Sequence, residues 1–142
     1  MPRVFNLSFS QVALFGEAAV TLAMAALLVR CLPFRWLAPR LGQAACESAA
    51  DEPEAIRAHL GQLRWALHAA ARRSPLGSSC LTRAIAGKAM LKRRGIASTL
   101  YLGVDTGGAT GLSAHAWLRC GTFLVTGAGG REQFATVATF AE

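Results

Sequence analysis

The sequence contains no cysteine pair at CxxC spacing. Its four cysteines, Cys31, Cys46, Cys80 and Cys120, stand 15, 34 and 40 residues apart, which excludes the clustered thiolates of a zinc site or a redox couple. An export signal of the usual form is missing too: GQAAC, before Glu47, lies far beyond the long apolar run and has no lipobox leucine. Free thiols in a reducing cytoplasm are the expectation, three of them serving as small packing side chains. Acidic residues are few, eight against fifteen basic ones, for a net charge of +7. Thirteen of the fifteen are arginines scattered from Arg3 to Arg131, whereas a nucleic-acid face gathers its charge on one stripe with stacking aromatics. The excess points to an acidic or anionic partner and not to nucleic acid. Internal repeats and low-complexity tracts are absent, and no cofactor or metal is expected.

At 142 residues the chain is long enough to bury one domain's core. Residues 12–29, VALFGEAAVTLAMAALLV, are interrupted only by Glu17 and Thr21. That length could cross a bilayer, but Glu17 and the many small residues favour a helix buried against the domain or a partner. Membrane contact stays open at this stage, so the expected location is cytoplasmic with membrane association as the alternative. Helices are expected over 8–30, briefly around Phe34 and Leu37, from the Asp51 cap through the Ile56, Leu60, Leu63 and Leu67 stripe, and from Ser78 or Ser79 to Gly95. STLYLGV, AHAWLRC and TFLVT read as strands and DTGGATG as a loop. The expected fold class is α+β, a small antiparallel sheet packed on helices. Residues 1–50 form its N-terminal helical segment and 51–142 its core domain. His59 and His68, on the third helix, read as structural or solvated.

Chemistry enters at Cys80, in the first turn of its helix, where unpaired amides and the helix dipole favour the thiolate. His115 supplies what a thiol nucleophile needs. Strand alternation puts His115, Trp117 and Arg119 on one face and Ala114, Ala116, Leu118 and Cys120 on the other. An imidazole there would take the thiol proton and return it to a leaving amine. Trp117 reads as a core or groove wall.

The stretch SSCLTRAIAGKAMLKRRGIASTLYLGV followed by AHAWLRCG, with LPFRWLAPRLG and AAARRSPLGSSC upstream, resembles the transglutaminase-like cysteine peptidases of lasso peptide biosynthesis over nearly the whole chain. The resemblance implies a papain-like, transglutaminase-type core and an acyl-enzyme route. Cys80 would be the nucleophile, His115 the general base and acid, and the Cys80 amide an oxyanion donor. It also implies a substrate, the leader region of a ribosomally made precursor peptide, and partners: a small leader-binding companion protein and an ATP-dependent lasso cyclase. Residues 12–29 and LPFRWLAPR serve either as the companion's docking surface or as core packing. A noncatalytic peptide-binding or scaffold subunit is the alternative reading.

One departure stands out. Members of this superfamily often place an aspartate about twelve residues after the histidine to orient the ring, and position 127 here is Gly127. A two-residue turn at Cys120 and Gly121 would set Arg119 opposite Thr122, Trp117 opposite Leu124 and His115 opposite Thr126. The Thr126 hydroxyl would then meet the ring. Asp105, Glu132 and a backbone acceptor remain the other candidates for a third member.

Overall fold

A computed structural model describes residues 8–44, 54–74, 79–108, 111–127 and 134–141. Helix α1 spans Phe9–Cys31 and opens with a reciprocal cap: Ser8 Oγ accepts the Gln11 amide at 3.3 Å while Gln11 Oε1 accepts the Ser8 amide at 2.9 Å. Pro33, just past its end, blocks continuation. A short helix, α2 (Phe34–Leu37), runs into a single 3-10 turn at Ala38–Leu41. Helix α3 covers Glu54–Arg72 and α4 covers Cys80–Arg93. Gly95, at φ +68°, ends α4 in the left-handed conformation that L side chains avoid, and the Ile96 amide turns back to Leu91 O at 3.0 Å.

The three long helices share one core. Leu14, Ala18, Leu22 and Ala25 of α1 join Leu60, Leu63 and Leu67 of α3 and Ala84, Met90 and Leu91 of α4 in a single buried cluster. In α3 the apolar stripe recurs at helical spacing and gives that helix one face to bury, whereas α1 is apolar nearly all round and buries one side. Helix α1 is long and apolar enough by length and composition to cross a membrane, and its outward side leaves Val12, Val20, Met24 and Leu27 exposed. Its other side is tied to the domain by charge. Glu17 accepts from Arg93 at 3.0 Å and from Arg94 at 2.6 Å, which holds its carboxyl down at about 2, chiefly through the Arg94 hydrogen bond.

Among the described residues the sheet has five strands in the order β1-β5-β2-β3-β4: β1 Gln43–Ala44, β2 Thr99–Gly108, β3 Gly111–Cys120, β4 Phe123–Thr126 and β5 Ala135–Ala141. All neighbours are antiparallel, and the fold is α+β. Two features differ from the sequence expectation. The turn-rich DTGGATG contributes to strands on both sides, because pairing of Asp105 with Ser113 and of Gly108 with Gly111 extends the β2–β3 ladder. Strand β5 was not anticipated from ATVATFA, whose small residues blur the alternation of faces. It inserts between β1 and β2 and carries Phe140 into the core. Of the cysteines expected to pack, Cys120 is buried but Cys31 is exposed; it ends α1 on the solvent side. Cys46 lies outside the described residues.

Candidate active site

Cys80 is the first residue of α4. Ser79, the cap, accepts the Thr82 amide on its hydroxyl at 3.1 Å and the Arg83 amide on its carbonyl at 3.1 Å. The amides of Cys80 and Leu81 therefore have no acceptor within the helix, and the positive end of its dipole lies at the thiol. Cys80 is half-buried and packs against the edge of the core.

His115 sits on β3 opposite Gly103 of β2. Its Nε2 lies 2.8 Å from the carbonyl oxygen of Gly127. A carbonyl can only accept, so Nε2 carries the hydrogen and the lone pair of the neutral ring falls on Nδ1. Aromatic neighbours fix the ring further. Trp117 lies at 5.8 Å between centroids and Phe134 at 5.1 Å, and Trp117 in turn stacks on Tyr101 at 5.4 Å with planes 8° apart. Gly103 makes room for this stack: a Cβ there would come within 2.8 Å of both Phe134 Cβ and Trp117 Cζ3. Arg119 closes the far end, donating its Nε to the Tyr101 hydroxyl at 2.8 Å.

Of the candidates for a third member, Thr126, Asp105, Glu132 and the backbone, it is a backbone carbonyl, that of Gly127, that the structure places at the ring. Gly127 has φ +73°, and a Cβ there would collide with Ala116 O and lie 2.7 Å from Trp117 Cβ. Position 127 thus has room for a carbonyl and none for a side chain. This backbone acceptor orients the ring, though it stabilises an imidazolium less than a carboxylate would. The expected register is corrected: the turn is Gly121–Thr122, Arg119 pairs with Leu124, and a bulge then sets Thr126 opposite Leu118. That arrangement moves Thr126 off the His115 rung and onto the α4 side, where a Cβ on Gly87 would find its methyl at 3.6 Å. Asp105 pairs with Ser113, two rungs beyond His115. Glu132 lies outside the described residues.

A cleft of about 300 Å³ opens between β4 and helices α3 and α4, lined by Arg64, His68, Arg83, His115, Leu124, Val125, Thr126 and Gly127. Cys80 does not line it, and among the described residues no hydrogen bond joins the thiol to the imidazole. Arg83, one helical turn beyond Cys80, does line it. The Arg83 Nε and Thr126 Oγ1 atoms are buried without a hydrogen-bond partner, each at a cost of about 1–3 kcal/mol if left unmet. His68, read from sequence as structural or solvated, donates from Nδ1 to Arg64 O at 2.7 Å and lines this cleft. The overlooked signal was helical spacing: residue 83 falls one turn from Cys80, and Arg64 and His68 are four apart on one face of α3. Among the described residues no group of three or more His, Cys, Asp or Glu side chains is placed to hold a metal ion.

Compared with known proteins, residues 28–139 match the family model of the transglutaminase-like superfamily. No curated protein and no solved structure matches the chain. The match takes in the α4 cysteine, the β3 histidine and the sheet that carries it, so the chain belongs to the transglutaminase-like superfamily.

Proposed function

We propose that the protein is a cysteine peptidase that removes the leader from a ribosomally made lasso peptide precursor. The observation that carries this reading is the bond from His115 Nε2 to Gly127 O, which leaves the Nδ1 lone pair as the base of the ring. In the proposed reaction the Cys80 thiol gives its proton to Nδ1 and its sulfur attacks the scissile carbonyl carbon. First-turn amides of α4 offer hydrogen bonds to the oxygen as it gains charge. Collapse expels the amine, which takes the proton from the imidazolium and leaves a thioester. Water then attacks the thioester, His115 takes its proton, and release of the acid restores the thiol. The separation of thiol and imidazole before substrate binds is compatible with a pair that tightens in the Michaelis complex.

The lasso assignment is supported by LPFRWLAPRLG, AAARRSPLGSSC and AHAWLRCG. It brings a leader-binding companion, for which the exposed Val20, Met24, Leu27 and Trp36 offer apolar surface, an ATP-dependent cyclase acting on the product, and a cytoplasmic location. The missing carboxylate favours a second reading, a noncatalytic subunit that binds or scaffolds the precursor. Mass spectrometry of precursor incubated with this protein and the companion separates the two. Leader release that disappears in Cys80→Ala and in His115→Ala is expected; release that survives Cys80→Ala overturns the mechanism, and no release by the native chain leaves the scaffold.

A further inference from the structure

The cleft beside His115 continues along α3 into a second hollow of about 520 Å³, which shares Arg64, His68 and Arg83 and adds Trp65 and Arg72. Among the described residues, three arginines and no acidic side chain line the two together. Elsewhere two arginines, Arg93 and Arg94, converge on the carboxylate of Glu17. Among the described residues Arg64, Arg72 and Arg83 make no such pair, and the Arg64 guanidinium lies 5.6 Å over the Phe123 ring instead. The two buried polar side-chain atoms without a partner among the described residues, Arg83 Nε and Thr126 Oγ1, belong to residues of this groove, and Thr126 is only 2% exposed. A buried guanidinium nitrogen and a buried hydroxyl without acceptors, on residues that line a groove with three arginines and no acid among the described residues, are complementary to an anionic acceptor.

We propose that this groove binds a side-chain carboxylate of the peptide substrate, an aspartate or glutamate close to the scissile bond. Arg83 Nε and the Thr126 hydroxyl donate to the carboxylate and Arg64 flanks it. That a peptide is the ligand rests on the peptidase reading; that the ligand is acidic rests on the groove. The site would set specificity without touching the reacting atoms. It also gives the chain's surplus of arginine a local use.

Binding is measured by fluorescence anisotropy with the full-length Cys80→Ala protein and two labelled, end-capped octapeptide pools with randomised flanks, one with a central Glu and one with a central Gln. The Glu pool should bind about tenfold tighter, with the advantage shrinking as salt rises to about 0.5 M. Arg83→Gln should abolish the advantage and Arg64→Gln should reduce it. Should Arg83→Gln fail to fold, the near-isosteric Thr126→Val carries the test, with a loss of about threefold in the advantage. Equal binding of the two pools, no binding of either, or an advantage untouched by these substitutions overturns the proposal. The active protein, given the same pools, separates the two readings. Cleavage without acidic preference removes the groove and keeps the peptidase, whereas acidic preference in binding without any cleavage keeps the groove and removes the peptidase.

Discussion

Gly127 combines a left-handed φ of +73° with a carbonyl 2.8 Å from His115 Nε2, and the second depends on the first. Any Cβ at this position meets Ala116 O and Trp117, so a side chain can enter only if the backbone turns and carries the carbonyl away from the ring. Gly127→Ala is therefore expected to lower stability by about 1–3 kcal/mol, from the strained φ and the overpacking together, as read from urea unfolding midpoints. The proposed leader release should fall further than that loss explains. Gly127→Asp should not raise activity, although it restores the residue type the superfamily resemblance led one to expect. A gain in cleavage rate in Gly127→Asp would count against the carbonyl as the ring's orienting group. Cys80 and His115 could be named as candidates from the chain because each residue type advertises its chemistry. The acceptor on Nε2 could not, because every residue has a carbonyl and only the folded backbone aims one.

The secondary-structure elements are held in place by different kinds of contact. Helix α1 is clamped to the C-terminal end of α4 through Glu17, Arg93 and Arg94, with Thr21 taking a further bond from Arg93 at 2.8 Å. The Glu17 carboxyl is depressed from 4.5 to about 2, so the folded state binds this proton less readily than the unfolded chain. The clamp's stabilisation is fully present above about pH 4.5 and is lost as pH falls towards 2. Thermal melts of the native chain and Glu17→Gln should differ at pH 7, converge below pH 4.5 and coincide near pH 2; a gap that persists in acid would show that the carboxylate's charge is not its source. At the level of elements the helices were legible, since caps such as Ser8 and Ser79 and the Leu60, Leu63, Leu67 stripe are local signals. The β3–β4 register was not. A bulge between Leu118 and Arg119 changes which residues face the ring, and bulges follow from packing across the sheet and not from the strand's own alternation.

Across the whole molecule, β5 joins the end of the described chain to the segment that follows α1. It pairs with β1 on one side and β2 on the other, and Phe140 meets the ring of Phe34 edge-on at 5.8 Å. A chain ending after residue 133 would lose an interior strand and expose the edges of β1 and β2. It should show no cooperative thermal unfolding transition by circular dichroism; a sharp transition would mean that β5 is dispensable to the core. Composition and local pattern determined the helices, the α+β class, and the placing of a cysteine at a helix start and a histidine on a strand, because these follow from caps, periodicity and residue chemistry within a few positions. The five-strand order, the Gly127 carbonyl behind His115 and the gathering of Arg64, His68 and Arg83 beside Thr126 were decided by tertiary structure. Each depends on which distant segments share a face once the core closes, and that is a property of packing which no short stretch of the chain carries.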